Sequence, residues 1–151
     1  MTTINSGYNR LPNQRALPIL SLDFDGVIHD YLEGWRDGTI YGKPTEGFWE
    51  WAAEAKKYFK LVIFSSRSAE SHKGIKPMQD WLTVNLWDFK QDNPMVDITM
   101  KDFNFVMHKP KAFITIDDRA IQFGGNWKWE ELEPAKLKNF KPWNMKGKKD
   151  E

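Results

Sequence analysis

The chain has 151 residues, a formal net charge of +1 and no cysteine. This length suits a single domain, and the lack of cysteine excludes a disulfide scaffold, a thiolate zinc site and a cysteine nucleophile. A near-neutral charge argues against a protein whose main task is to coat nucleic acid. No apolar run approaches the ~20 residues of a membrane helix, and the first residues lack the apolar core of a signal peptide. The composition therefore predicts a cytoplasmic globular domain without a membrane partner.

The first third of the chain predicts an arm, a strand and a loop. Residues 1–16 are polar, without apolar periodicity, and predict an N-terminal arm. The apolar run 17–25 is bounded by Gly26 and predicts a buried strand that ends in carboxylates. Residues 29–47 contain four glycines and a proline, which predict a loop or a small hairpin. This segment is called the flap below.

Helices alternate with strands in the rest of the chain. Apolar residues recur at three- and four-residue spacing over 48–59, which predicts an amphipathic helix. The later predicted elements are a buried strand at Leu61–Phe64, a helix over 74–86, a loop over 87–95, a strand over 96–100, a buried strand over 113–116, a helical turn over 120–123 and a helix over 127–137. The pattern assigns no element to 101–110. This alternation predicts an α/β fold, a Rossmann-like three-layer domain over 17–143 with a mainly parallel sheet, followed by a flexible basic tail over 144–151.

Polar side chains follow three of the predicted strands. They are Asp23 and Asp25 after the first strand, Ser65, Ser66 and Arg67 after the second, and Asp117 and Asp118 after the last. Ligands of open α/β sheets bind beyond the carboxyl ends of the strands, so we expect these groups to meet. Crowded carboxylates repel and raise one another's pKa values, and a hard cation such as Mg²⁺ relieves that repulsion.

The same strand ends suit a phosphate. Ser65 can donate a hydroxyl hydrogen bond, and the amides after a strand end can bind an anion. A lysine just before the last strand, Lys109 or Lys111, would neutralise the anion. A carboxylate near a metal-bound phosphate can attack phosphorus and form an aspartyl-phosphate, and a second, protonated carboxylate can protonate the leaving oxygen.

These residues resemble four motifs of the haloacid dehalogenase-like (HAD) superfamily. Leu22-Asp23-Phe24-Asp25-Gly26-Val27 resembles the first motif, Val62-Ile63-Phe64-Ser65 the second, Lys109-Pro110 the third and Ile114-Thr115-Ile116-Asp117-Asp118-Arg119 the fourth. The resemblance covers roughly residues 17–123. The Asp-Asp-Arg ending and the short interval before it are similar to those of small nucleotidase-like members.

The resemblance implies a Mg²⁺-dependent phosphatase and a role for each residue. It implies Asp23 as nucleophile and metal ligand, Asp25 as general acid and base with its backbone carbonyl on the metal, Ser65 as a phosphoryl-binding residue, Lys109 as partner of nucleophile and phosphate, and Asp117 and Asp118 as metal ligands. Members that act in dehalogenation lack the second aspartate, so Asp25 favours phosphate chemistry. The short gaps between motifs imply a capless member, with an open site or one closed by the flap.

Several residues keep two interpretations at this stage. Trp35 in the flap can stack on a nucleobase or pin the flap as an apolar plug. Arg67 can bind a second phosphate or pair with a surface acid, and His29 is expected beside the site or exposed rather than on the metal. The lysines at 136–149 predict a solvated tail or a weak contact with nucleic acid.

The expected function is hydrolysis of a phosphomonoester, of a small molecule or a nucleotide, through Asp23. The alternatives are a phosphatase for 3′- or 5′-phosphorylated nucleic-acid ends, transfer to an acceptor other than water, and a non-catalytic phosphate-binding module. The sequence leaves the natural substrate and the oligomeric state open.

Overall fold

A parallel sheet of four strands forms the centre of the molecule in a computed structural model that describes residues 16–68 and 72–145. Its strands are β1 (Ile19–Leu22), β2 (Lys60–Phe64), β3 (Phe103–Val106) and β4 (Ile114–Ile116). They lie in the order β3-β2-β1-β4, and every neighbouring pair is parallel. Parallel neighbouring strands need crossover connections. The connections from β1 to β2 and from β2 to β3 both contain a helix. The predicted α/β fold, a single domain with a parallel sheet, is confirmed.

The two longer helices pack on one face of this sheet. The helices are α1 (Phe48–Ala55), α2 (Ile75–Asp92) and α3 (Pro134–Lys138). The ring of Trp49 on α1 lies 6.1 Å from the rings of Phe89 on α2 and Phe103 on β3. Right-handed crossovers from β1 to β2 to β3 advance in one direction, which places both helices on the same face, so neither forms the third layer of the predicted three-layer domain. No helix in the described part of the chain is long and apolar enough to cross a membrane.

The segment between α2 and β3 differs from its prediction. The strand predicted over 96–100 is wrong, because the strand lies at Phe103–Val106, where the pattern assigned no element. Ile98 is only 1% exposed and packs into the core from a segment that pairs with no other strand. The alternation of apolar and polar residues over 96–100 therefore reflects the burial of Ile98 and not pairing with another strand. α2 also runs through most of the loop predicted over 87–95, since Phe89 continues its core-facing side.

The C-terminal third is less regular than predicted. The helix predicted over 127–137 is interrupted: a single 3₁₀ turn at Glu130–Leu132 precedes α3. Pro134 has no backbone N–H to donate, so it takes the first position of a new helix. The helical turn predicted over 120–123 is not helical.

β4 is an exposed edge strand, although its apolar residues predict burial. Ile114 is 50% exposed and Ile116 is 39% exposed. Among the described residues β4 pairs only with β1, so its outer edge and much of its surface face solvent. An apolar run does not by itself distinguish a central strand from an edge strand.

The end of the described chain returns to the first strand. The indole N–H of Trp143 donates to the carbonyl of Gly26 at 2.7 Å, and the Asn144 amide donates to the carbonyl of Asp30 at 3.0 Å. Asn144 is only 6% exposed, so the flexible tail predicted to begin at this residue is wrong there. Residues 1–15 of the predicted arm and 146–151 of the predicted tail lie outside the described residues.

Candidate active site

The carboxyl ends of β1 and β4 bring three carboxylates together. Asp23 follows β1, Asp117 and Asp118 follow β4, and one oxygen of each lies within 4.8 Å of the others. The N–H of Asp23 donates to the carbonyl of Ile116 at 3.1 Å, which extends the pairing of the two strands by one residue. The strand order thus explains why groups far apart in the sequence meet, and we call these three residues the carboxylate cluster.

Asp118 is the most unusual member of the carboxylate cluster. Its side chain is 2% exposed, and neither carboxylate oxygen accepts a hydrogen bond from an N–H or hydroxyl group of the described residues. Arg119 Nε lies 3.7 Å from Oδ2, beyond hydrogen-bond distance. Burial raises the pKa of Asp118 above its usual value, and its neighbour is the carboxyl group of Asp23, with which it can share a proton. Two adjacent buried carboxylates are costly when both are charged, and a shared proton or a bound cation removes that cost.

Gly26 makes the position of Asp118 possible. Its φ of +82° is a left-handed conformation that favours glycine. A Cβ atom at this position would overlap the Asp118 carboxylate. The glycine that follows the first two aspartates therefore has a steric role at the site.

Asp23 is also poised between its two protonation states. Burial raises its pKa to about 7, and the nearby charges of Asp117 and Asp118 act in the same direction. The N–H of Phe24, which donates to Oδ1 at 2.8 Å, partly opposes this shift. An all-oxygen donor set with excess negative charge fits Mg²⁺, which prefers carboxylate and water ligands.

The Asp25 carboxylate belongs to a separate network. It accepts hydrogen bonds from Arg67 Nε at 2.7 Å and Nη2 at 3.1 Å, and it lies 2.8 Å from His29 Nδ1. Burial alone would raise the pKa of Asp25, but these hydrogen bonds from His29 and Arg67 hold the pKa below its usual value. Asp25 is therefore ionised here, as a base requires. The predicted contact of its backbone carbonyl with a metal stays a prediction.

His29 orients Asp25. The ring is 1% exposed, and its Nε2 accepts the N–H of Gly42 at 2.9 Å. Because Nε2 accepts, Nδ1 carries the proton of the neutral ring and donates it to Asp25. His29 thus lies beside the site and off the carboxylate cluster. The sequence did not reveal this contact, although the four-residue spacing from Asp25 is compatible with it.

Arg67 joins the end of β2 to the flap. Besides its bidentate contact with Asp25, its Nη1 donates to the carbonyl of Gly38 at 2.6 Å. Its guanidinium carbon lies 4.7 Å from the centre of the Trp35 ring. Arg67 pairs with an acid, but that acid is Asp25 in the site and not the surface acid that was predicted; its contact with a second phosphate stays a prediction.

A cavity of about 210 Å³ lies over the ends of β1 and β2. It is lined by Asp23, Asp25, Tyr31, Trp35, Ser66, Asp118 and Arg119, and we call it the catalytic cavity. Ser65 is only 2% exposed, and its hydroxyl oxygen accepts the N–H of Arg67 at 3.2 Å. Ser66 is thus the serine that faces the cavity. Tyr31 and Arg119 were not predicted as site residues; the position of Arg119 after the paired aspartates was the available signal.

The two candidate lysines form no ion pair with the carboxylate cluster. Lys109 and Lys111 are both exposed, and they lie on the connection that runs from the end of β3 to the start of β4. The role predicted for Lys109, as partner of the nucleophile and the phosphate, stays a prediction, and so does the alternative of Lys111.

Comparisons of the chain with models of protein families, with curated proteins and with solved structures find no match. The resemblance to the HAD superfamily therefore rests on the four motifs described above. The function must be argued from the geometry of this site, and in particular from its carboxylates.

Proposed function

We propose that this protein is a Mg²⁺-dependent phosphatase of the HAD type that hydrolyses a phosphomonoester, of a small molecule or a nucleotide, through Asp23. The observation that carries the proposal is the buried Asp118 carboxylate, which accepts no hydrogen bond from an N–H or hydroxyl group of the described residues and lies beside Asp23 and Asp117. These three residues would hold Mg²⁺, which when bound screens the negative charge of the nucleophile and the phosphate. The catalytic cavity beside them would receive the phosphoryl group.

Asp23 would act as the nucleophile and Asp25 as the general base. A carboxylate oxygen of Asp23 attacks phosphorus, and the bond from phosphorus to the leaving oxygen breaks, which gives an aspartyl-phosphate. A water oxygen then attacks phosphorus and passes its proton to Asp25, and the bond between phosphorus and Asp23 breaks to release phosphate. The ionised state of Asp25 supports this base role.

The first step also needs a proton for the leaving oxygen. Arg67 and His29 both favour the charged form of Asp25, so in the ligand-free arrangement this residue is a weak proton source. We therefore expect substrates with weakly basic leaving groups, such as aryl phosphates, to react fastest.

Phosphate release from a panel of phosphomonoesters tests the proposal. Wild type should release phosphate with Mg²⁺ and lose activity in EDTA, and Asp23→Asn should lower kcat by about 1,000-fold or more. Asp97→Asn is the matched control, because that carboxylate is 88% exposed and pairs with Lys56 outside the site. Equal turnover by wild type and Asp23→Asn would contradict the mechanism.

A non-catalytic phosphate-binding module is the second candidate. One observation favours it: the Asp25 carboxylate is already engaged by Arg67 and His29. This function predicts Mg²⁺-dependent binding of a phosphomonoester without turnover, which calorimetry beside the activity assay would detect. The contact of the C-terminal lysines with nucleic acid stays a prediction; one of them, Lys136, forms an ion pair with Glu130.

A further inference from the structure

A second, larger cavity adjoins the catalytic cavity. Its volume is about 560 Å³, and its lining includes Trp35, Asp37, Thr39, Arg67, Pro77 and Trp81. We call it the flap pocket. Trp35 lines both cavities, and Arg67 lines the flap pocket while its guanidinium contacts Asp25 in the catalytic cavity. A molecule whose phosphate enters the catalytic cavity can therefore extend past Trp35 into the flap pocket.

The walls of the flap pocket suit a flat and largely apolar group. Two indole rings, those of Trp35 and Trp81, contribute to it together with Pro77. The indole N–H of Trp81 donates to the carbonyl of Gly42 at 3.2 Å, so its polar atom already has a partner. The charge of Arg67 is paired with Asp25. What remains for a ligand is apolar and aromatic surface, on which a planar ring can stack.

One carboxylate at the rim adds polar selectivity. Asp37 Oδ1 accepts the Tyr41 hydroxyl at 2.7 Å and the N–H of Thr39 at 3.0 Å. These hydrogen bonds hold the pKa of Asp37 below its usual value. Asp37 therefore offers only acceptor capacity to a ligand, and it favours a ring that carries amino or N–H donors.

The size of the flap pocket also suits a ligand that contains a planar ring. A volume of about 560 Å³ lies within the ~300–1,000 Å³ range of pockets that hold whole small molecules. The phosphate of a small sugar phosphate would occupy the catalytic cavity and leave the aromatic walls of the flap pocket without a contact. A purine or pyrimidine nucleoside would reach them.

We propose that the flap pocket binds the base of a nucleoside monophosphate whose phosphate lies in the catalytic cavity. This inference rests on the proposed phosphatase function and specifies its substrate class. Because Asp37 only accepts hydrogen bonds, it suits a base that presents an amino group or a ring N–H to the flap pocket.

The matched substrates AMP and ribose 5-phosphate test this inference, since they share the sugar and phosphate and differ in the base. Wild type should have a kcat/KM for AMP at least about 10-fold above that for ribose 5-phosphate, the scale of one stacked base. Thr39→Trp fills the flap pocket and should remove this preference, so that kcat/KM for AMP falls to that for ribose 5-phosphate. Leu32→Trp is the control, because Leu32 is an exposed flap residue outside the pocket lining.

Adenosine provides a readout that needs no variant. It should inhibit the hydrolysis of AMP, whereas ribose at the same concentration should not, so the test survives if Thr39→Trp fails to fold. Equal kcat/KM for AMP and ribose 5-phosphate would overturn the nucleoside assignment and leave the phosphatase function standing. A preference for a 5′-phosphorylated oligonucleotide over AMP would also overturn it.

The two proposals can fail separately. If no substrate is hydrolysed, the phosphatase function is wrong. A titration of tryptophan fluorescence with AMP then tests whether the flap pocket binds a nucleoside. Quenching by AMP in wild type and Leu32→Trp but not in Thr39→Trp would support the nucleoside site, and its absence in wild type would overturn it.

Discussion

Gly26 and Asp118 show how one missing side chain can make room for a buried carboxylate. The carboxylate of Asp118 occupies the space in which a Cβ atom of residue 26 would lie. We expect Gly26→Ala to displace Asp118 and to lower Mg²⁺-dependent activity by about 10-fold or more. The positive φ should also destabilise the fold by about 1–2 kcal/mol.

Gly47→Ala separates these two effects. Gly47 has a φ of +80°, close to that of Gly26, but no atom lies within 4 Å of the position of its Cβ. Thermal denaturation should show a similar loss of stability in both variants, while a Mg²⁺ titration of activity should be altered only in Gly26→Ala. Retention of normal Mg²⁺ dependence by Gly26→Ala would refute the steric role of Gly26.

Asp23 and Asp25 should have opposite effects on stability as the pH changes. In EDTA, the pKa of Asp23 is about 7 in the folded state, above its value of ~3.9 in an unfolded chain. Its contribution to stability is therefore fully present below pH ~4 and is lost as the pH rises through 7. At pH 8 we expect metal-free Asp23→Asn to be more stable than wild type by about 1–2 kcal/mol, after allowance for solvent screening.

Asp25→Asn is the control of opposite sign. The pKa of Asp25 is lowered, so its contribution is present above pH ~4 and is lost as the pH falls through its folded-state pKa. At pH 8 this variant should be less stable than wild type. Denaturation in EDTA at pH 3, 5 and 8 measures both effects, and a wild-type stability that does not fall between pH 5 and pH 8 would contradict the assignment for Asp23.

At the level of elements, the flap is held in place by polar contacts rather than by secondary structure. Arg67 contacts Asp25 and Gly38, and His29 and Trp81 both bond to the backbone of Gly42. Since a buried, bidentate ion pair depends on guanidinium geometry, Arg67→Lys should destabilise the protein by about 1–3 kcal/mol. It should also increase hydrogen exchange over residues 35–42.

Arg36→Lys is the matched change for this experiment. Arg36 belongs to the flap, but its side chain is 59% exposed and lies 3.3 Å from Glu33. We expect it to alter stability by less than about 0.5 kcal/mol. Equal effects of the two substitutions would show that Arg67 does not hold the flap.

The elements predicted from the sequence differ in how well local pattern determines them. β1, β2 and α1 combine a clear apolar period with clear boundaries, and they lie close to their predicted positions. β3 and the exposure of β4 depend on which strands become neighbours, and hydrophobic periodicity does not encode that order.

The same division holds for the candidate site. Carboxylates at strand ends could be placed from the sequence, because a parallel sheet gathers these ends. The pairing of Asp25 with Arg67 and His29 could not, since it depends on the path of an irregular flap.

On the scale of the whole molecule, the last described residues close over the first motif. Trp143 donates its indole N–H to the carbonyl of Gly26 across a separation of 117 residues. Asn144 donates to Asp30 at the start of the flap and is 6% exposed. The C-terminal segment therefore contacts the same turn that positions Asp118, and stability and metal affinity should be coupled through it.

Trp143→Phe tests this coupling, because it keeps an aromatic ring and removes only the indole donor. The loss of the hydrogen bond to Gly26 should lower stability by about 0.5–1.5 kcal/mol. It should also raise the Mg²⁺ concentration needed for half-maximal thermal stabilisation, since Gly26 sets the position of Asp118. Trp127→Phe is the control: Trp127 is 80% exposed and contacts Phe123 rather than the first motif. A Mg²⁺ midpoint that is the same in both variants would show that the C-terminal segment stabilises the fold without acting on the carboxylate cluster.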